Sequence, residues 1–378
     1  MRARSFDSPR SADLGRQRKL IMTVIADVTV QPLNLALTEP FAVAQGAPTS
    51  ARNVLVRVVL QDGTVGLGEA APFTEVSGET QEATIEAIRS MRSSVIGHNV
   101  RDWQVIGSAL HASHLATPAA RAGLEIAIVD AFARATDLPL WKLFGSVGTV
   151  LTTDMTVTAG DVPHAQSSAR KISELGITTI KVKVGASSAE EDIARMIAIR
   201  NTAPQARLFA DANTGYDLSE AIAFVHGVEA AGIKLEVFEQ PLARGNHDQW
   251  KKLAAATSIP LCADESARSV ADVEEIAAAG AAKFINIKTM KSGVAEAYAM
   301  MQTARDRGLS LMIGGMVESI LAMSFSAHLA AGFGGITIVD LDTPMFILSH
   351  PFSGGFEQKG ERLDVSHVRK GHGVTLRA

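Results

Sequence analysis

Cysteine is almost missing from this chain: Cys262 is the only one in 378 residues. One thiol cannot build an intramolecular disulfide framework, which points to a reducing compartment and to a fold held by its own core. Aromatic residues are also scarce, at 5%. Neither sign of charge dominates: 40 acidic residues stand against 36 Lys and Arg, with no long run of either, so the chain carries no nucleic-acid footprint. The basic start (Arg2, Arg4, Arg10, Arg16, Arg18 and Lys19 against Asp7 and Asp13) lacks the apolar stretch that a secretory signal needs. Residues 1–21 read as a disordered tail, or as sequence upstream of a natural start at Met22. Between Glu318 and Asp340 there is no Asp, Glu, Lys or Arg, a length that could suggest a membrane span. Its Gly, Ala and Ser content and His328 favour a buried helix followed by a buried strand. These absences predict a cytoplasmic protein with no nucleic-acid and no membrane partner.

What is present is apolar material for a large core, 47% of the residues. Residues 23–70 read as antiparallel β, with a Val- and Leu-rich run at 54–60 and a hairpin turn at Asp62-Gly63. Residues 79–96, 101–115 and 119–135 read as helices, the last with Ala122, Ile126 and Val129 along one face. From about residue 150 the pattern becomes periodic. Eight short apolar runs, at 151–158, 178–184, 207–213, 235–241, 260–266, 284–290, 310–316 and 336–344, alternate with helical stretches. Such continuous apolar interiors suit parallel strands buried on both faces. Eight βα units predict an α/β fold, a (β/α)8 TIM-type barrel. The alternative, an open doubly wound sheet, lacks the glycine fingerprint after its first strand. The expected division is an N-terminal α+β capping domain over 22–145, the barrel over 146–345, and a C-terminal segment, 346–378, that packs on the capping domain and completes it.

Barrel active sites lie at the C-terminal ends of the strands. There the sequence places Lys181 and Lys183, Asp211 with Asn213, Glu239-Gln240-Pro241, Asp264-Glu265-Ser266, Asn286-Ile287-Lys288, and Asp340 with Asp342. The steps from Lys183 to Asp211, Glu239, Asp264 and Lys288 are 28, 28, 25 and 24 residues, one βα unit each, so these side chains converge on one rim. Three carboxylates from adjacent strands make a hard-oxygen site suited to Mg²⁺. Any one of them alone could equally be a helix N-cap. Buried lysines are costly. Beside another ammonium, a cation and low-dielectric walls, a lysine falls from roughly 10.4 toward about 7–8, where it can act as a base. Lys288 faces the Lys181/Lys183 pair across the barrel. Two bases on opposite faces of one carbon are what racemisation or epimerisation needs, with a metal and a third cation stabilising the enediolate. Asp340 and Asp342 share a face and attract a cation, either a second metal or a substrate ammonium; the plainer alternative is an N-cap plus a salt bridge.

In combination, Lys-x-Lys, Asp-x-Asn, Glu-Gln-Pro, Ala-Asp-Glu-Ser and Asn-Ile-Lys resemble the enolase superfamily, muconate lactonizing enzyme subgroup, from about residue 22 onward. The helix over 119–145, ending Pro139-Leu140-Trp141, belongs to the same resemblance. It implies Lys183 and Lys288 as the acid/base pair, Asp211, Glu239 and Asp264 as Mg²⁺ ligands, and Lys181 as a stabiliser of the enediolate oxygen. Asp340-x-Asp342 resembles the dipeptide epimerases, where the pair holds the α-ammonium of a dipeptide. Thr156, Gly315 and Met316 match positions that contact substrate, while Glu318 reads as structural. The implied reaction inverts the α-carbon of the C-terminal residue of an L,L-dipeptide, in a homo-oligomer. Specificity is expected from the loops 41–50 and 72–78. Enzymes of this type acting on Ala-Glu carry an arginine in the first loop, where this chain has Gln45-Gly46-Ala47. Phe73 and Val76 suggest a hydrophobic side-chain pocket, and Glu75 a cationic one. Muconate cycloisomerase, o-succinylbenzoate synthase and N-acylamino acid racemase share the two lysines but have no need of Asp340 and Asp342. Acid-sugar dehydratases use a histidine after the seventh strand, and residues 310–318 hold none. A Schiff-base aldolase needs no three converging acids, and a non-catalytic binding protein needs no intact set.

Overall fold

A computed structural model describes residues 23–377; the expected tail over 1–21 lies outside them. Strands β1 (Ile25–Ala36), β2 (Ser50–Leu60) and β3 (Val65–Ala70) form one antiparallel sheet. The β2–β3 hairpin turns where expected: Gly63 has φ +86° and Thr64 N–H donates to Asp62 Oδ1 at 2.8 Å. Helices Gln81–Val95, Trp103–Ser113 and Pro118–Ala135 complete the layer. The last is buried along most of its length, and β3 approaches it backbone to backbone. A Cβ at Gly68 would stand 2.1 Å from the Gly123 carbonyl oxygen, so only glycine fits there.

Eight parallel strands follow, in spatial order identical to chain order: β5 (Met155–Val157), β6 (Thr179–Lys183), β7 (Arg207–Asp211), β8 (Leu235–Glu239), β9 (Leu261–Ala263), β10 (Phe284–Ile287), β11 (Ser310–Ile313) and β12 (Ile336–Val339). The two ends of the sheet meet where Asp154 N–H donates to Val339 O at 3.0 Å and Leu341 N–H donates to Thr153 Oγ1 at 3.0 Å. The charge-free stretch after Glu318 is the buried helix Ile320–Phe333 followed by β12, and among the described residues no helix is long and apolar enough to cross a membrane.

The run read as one strand over 151–158 is two. Its first part, β4 (Val150–Thr152), leaves the barrel and pairs antiparallel with a C-terminal strand, β15 (Arg362–Asp364), which also pairs with β14 (Glu357–Lys359). The C-terminal residues also touch the N-terminal layer. Leu348 N–H donates to Ala36 O, and His372 N–H donates to Asp130 Oδ1 at 3.0 Å.

Two carboxylates from the N-terminal layer cap barrel-side helices. Glu125 Oε2 accepts from Val294 N–H and Ala295 N–H, at 2.7 and 2.8 Å, at the start of helix Val294–Asp306. Glu69 accepts from Ser319 N–H at 2.9 Å and Ala322 N–H at 3.2 Å, at the start of helix Ile320–Phe333. Each satisfies amides that the helix itself leaves unpaired.

Inside the barrel, Phe209, Val237, Cys262, Met312 and Ile338 pack as an apolar plug. Four of these stand two residues before Asp211, Glu239, Asp264 and Asp340. Residues i and i+2 share a face of a strand. The same alternation that builds the plug therefore aims four acids into the barrel mouth.

Candidate active site

The register sets the acids side by side. Lys183 pairs with Asp211 across β6 and β7, and Asp211 with Glu239 across β7 and β8. Two loops leaving the strands hold non-glycine residues at positive φ, Asn213 at +42° and Gln240 at +35°. Such conformations cost about 1–3 kcal/mol and persist where the surroundings over-determine them. Here they do: Gln240 Oε1 accepts from Asp264 N–H and Ser266 N–H, at 2.9 and 3.0 Å, and so ties the β8 loop to the β9 loop. Asn213 Nδ2 donates to Glu265 Oε1 at 3.1 Å.

The lysines thread between these acids. Lys181 Nζ lies 2.6 Å from Asp340 Oδ2, 2.8 Å from Glu239 Oε2 and 3.0 Å from Asp211 Oδ2. Lys183 Nζ donates to Asp211 Oδ2 at 2.6 Å and Asn213 Oδ1 at 3.0 Å. Lys288 Nζ donates to Asp264 Oδ2 at 2.7 Å. Lys291 Nζ, which sequence reading missed, donates to Asp264 Oδ1 at 2.5 Å and to Asn286 O at 2.9 Å. Its signal was a second lysine one helical turn after Lys288.

Burial and these contacts decide the protonation balance. Burial raises Asp211, but Lys181, Lys183 and Lys288 outweigh it and hold the acid well below the ordinary carboxylate range. Asp264 is held down in the same way by Lys288 and Lys291. Glu239 is pushed up to about 7 by burial and by the charge of Asp211. Asp342 is pushed up to about 7 by burial and by Asp340. Burial alone lowers Lys288, but Asp264 and Glu239 more than offset it and hold the ammonium above its ordinary range. Lys181 is raised likewise by Asp211, Asp340 and Glu239. For both, carboxylates at 2.6–3.0 Å outweigh desolvation.

Asp342 Oδ2 accepts from Thr156 N–H at 2.7 Å, which fixes the β12 loop against β5. Thr156, Lys183, Lys288, Gly315, Met316, Asp340 and Asp342 line one narrow pocket, roofed by Phe41, Val43, Phe73 and Val76. The Met316 N–H is already engaged by Glu318 Oε1 at 2.7 Å, in keeping with a structural Glu318. In the first specificity loop, Gln45 Nε2 donates to Asn213 O. Glu75 is exposed and lies against Gly46, outside the lining of this pocket.

Asp154 was also missed. It sits one residue before β5, buried, with neither carboxylate oxygen hydrogen-bonded. Among the described residues, the one group of three acids whose oxygens all lie within 4.8 Å of one another is Asp154, Asp340 and Asp342, not the expected metal triad. In the triad, ammonium groups stand between the carboxylates: Lys181 meets both Asp211 and Glu239. The donor set nevertheless fits a divalent cation. Asp211, Glu239 and Asp264 offer buried carboxylate oxygens from three adjacent strands. Seven buried acids (Asp154, Asp211, Glu239, Asp264, Glu265, Asp340, Asp342) face four buried lysines (Lys181, Lys183, Lys288, Lys291), a surplus of negative charge that calls for added cations or protons.

These features define a class: a (β/α)8 barrel under an α+β cap, with acids and lysines gathered at the barrel mouth. Two family descriptions match the chain, the mandelate racemase/muconate lactonizing enzyme N-terminal domain over residues 25–145 and the enolase C-terminal domain-like family over 164–378. The chain belongs to this mandelate racemase/muconate lactonizing enzyme family of the enolase superfamily. An aromatic dipeptide epimerase of Herpetosiphon aurantiacus is 52% identical over 355 residues, covering 94% of this chain and 99% of that one. A crystal structure of a mandelate racemase/muconate lactonizing protein from Herpetosiphon aurantiacus matches with a TM-score of 0.92 at 50% identity, over 94% of this chain and 99% of that one. The dipeptide epimerase of Enterococcus faecalis, solved with Mg and L-Leu-L-Tyr, matches with a TM-score of 0.88 at 32% identity, over 93% and 99%.

Proposed function

We propose that the protein is a Mg²⁺-dependent dipeptide epimerase that inverts the α-carbon of the C-terminal residue of an L,L-dipeptide by proton transfer between two lysines. One observation carries this reading. Lys183 ends β6 and Lys288 follows β10, the second and sixth of eight barrel strands, so two lysines line one pocket from diametrically opposed sides. A carbon held between them is reachable on both faces.

In this reading Lys183 and Lys288 exchange roles with the direction of reaction, one taking the α-proton and the other returning a proton to the opposite face. Asp211, Glu239 and Asp264 would hold the cation. Mg²⁺, when bound, withdraws charge from the substrate carboxylate and so acidifies the α-carbon. Asp264 would be both a ligand of that cation and the carboxylate to which Lys288 Nζ donates at 2.7 Å, so it orients that amine toward the pocket. Lys181 offers a further positive charge as the carboxylate gains electron density. Asp340 and Asp342 accept the α-ammonium, the feature that separates this reading from subgroup enzymes whose substrates lack one. Thr156, Gly315 and Met316 bound the substrate. The roof of Phe41, Val43, Phe73 and Val76 favours apolar side chains over that of Ala-Glu, and the Herpetosiphon relative is named for aromatic dipeptides.

The test is isotopic. Incubated with L,L-dipeptides and Mg²⁺ in D₂O, the protein should place deuterium on the α-carbon of the C-terminal residue with formation of the L,D epimer. EDTA should stop both, and Mg²⁺ should restore them. No exchange with any member of a broad dipeptide library would overturn the proposal.

A further inference from the structure

Asp154 is a buried acid to which the proposed reaction gives no task. It stands one residue before β5, and the backbone around it is stitched to the end of β12 and the loop that follows. Asp154 N–H donates to Val339 O at 3.0 Å, Leu341 N–H to Thr153 Oγ1 at 3.0 Å, and Thr156 N–H to Asp342 Oδ2 at 2.7 Å. This stitching holds the carboxylate inside: it is 1% exposed, and neither of its oxygens has a hydrogen-bond partner. Oxygens of Asp154, Asp340 and Asp342 all lie within 4.8 Å of one another. Asp340 and Asp342 line the reaction pocket and Asp154 does not, so it lies behind the pair.

Three buried carboxylates this close cannot all stay ionised without cations to balance them. One cation is at hand. Lys181 Nζ lies 2.6 Å from Asp340 Oδ2, but it also serves Asp211 and Glu239. Among the described residues, neither Asp154 nor Asp342 has a Lys, Arg or His nitrogen within 4.0 Å. The charged groups that face Asp154 are Asp340 and Asp342 after β12, Lys181 on β6 and Glu239 on β8, three acids against one ammonium. Burial and the charges of Asp340 and Asp342 push Asp154 well above the ordinary carboxylate range, against the pull of Lys181. A proton held in this way belongs to the group of three and not to one member.

Resting on the dipeptide epimerase reading, we propose that Asp154 is a positioning residue of the ammonium subsite: its charge behind Asp340 and Asp342 keeps one proton in the empty subsite, and the substrate α-ammonium enters as that proton leaves. The exchange balances. A carboxyl O–H bond breaks, the proton passes to solvent, and the arriving ammonium brings one positive charge for the one lost. The full negative charge of the three acids is then never buried without a counter-charge. A substrate that lacks the ammonium brings no cation to take the place of the proton.

The experiment counts protons. The Mg²⁺-loaded protein is titrated with L-Ala-L-Phe and L-Leu-L-Tyr, each supplied as its equilibrated epimer mixture, and binding heats are compared in buffers of different ionisation enthalpy. Wild type should release about one proton per dipeptide bound near pH 7, the proton of the coupled group. Asp154→Asn, which keeps the shape and removes the charge, should release almost none. Proton and ammonium compete for one place, so acid fills the subsite with protons and raises KM. Wild-type KM should therefore fall as pH rises from about 6 to 7.5, by up to about tenfold per unit for one linked proton, while KM of Asp154→Asn stays level. Asp154→Ser is measured beside it, so that the comparison stands if one variant fails to fold. Merely structural damage would shift KM or kcat at every pH and leave both the slope and the proton count as in wild type. No proton released by wild type, or the same release from the variants, would overturn the proposal and leave epimerisation standing. Absence of α-proton exchange with every dipeptide would instead remove the reading beneath it.

Discussion

Asp342 carries two tasks on one carboxylate. Oδ2 accepts from Thr156 N–H at 2.7 Å, and Oδ1 has no hydrogen-bond partner. A buried, unpaired carboxylate oxygen is costly unless something cationic arrives. The substrate α-ammonium is that group in the proposed function. Asp342→Asn keeps an acceptor for Thr156 and removes the charge. It should lower kcat/KM for free dipeptides by about 10- to 100-fold, mostly through KM, the range for one charge-assisted hydrogen bond. The gap between free and N-acetylated dipeptides should narrow at the same time. Steady-state kinetics on the two substrate types provide the check, and an unchanged gap would remove Asp342 from ammonium binding. Asp154 shows what a sequence hides at this scale. A single acid inside an apolar run reads as an interruption, and only the fold brings it within 4.8 Å of Asp340 and Asp342.

At the scale of elements, the N-terminal layer and the barrel are joined by caps that cross between them. Glu125 holds the first amides of helix Val294–Asp306, and burial pushes its carboxyl up to about 7. Glu125→Ala should destabilise the protein by about 1–3 kcal/mol, because two buried amides lose their acceptor. Glu125→Gln, which keeps an acceptor, should cost less. Urea unfolding of the two variants tests the order, and a Gln variant as damaged as the Ala variant would contradict the capping role. Caps formed within one helical turn, such as the capping box of Ser188 with Glu191, are open to reading from sequence. Glu69 and Glu125 were not, since each caps a helix more than 160 residues away. The strands show the same division. Periodicity located all eight barrel runs, but it merged β4 with β5, because the partner of β4 is β15, some 210 residues on, and local pattern carries no trace of so distant a pairing.

At the scale of the whole molecule, the rim was legible because a barrel repeats one geometry eight times. An acid or lysine at the end of six of the eight apolar runs becomes a ring once the sheet closes, and the 28-, 28-, 25- and 24-residue steps announce that ring. Charge state was not legible. The number of carboxylates that would reach each ammonium depends on side-chain placement across strands, which is why Lys181 and Lys288 stand above their ordinary range instead of below it.

The central claim is that Lys183 and Lys288 serve opposite faces of one carbon. The most direct measurement is α-proton exchange in D₂O, followed separately from the L,L and the L,D epimer, in Lys183→Ala and Lys288→Ala. Each variant should lose epimerisation by at least about 10²- to 10⁴-fold, the contribution of a positioned acid or base. Any exchange that survives should come from one epimer only, and from opposite epimers in the two variants. Wild-type epimerisation in either variant, or residual exchange from the same epimer in both, would contradict the account.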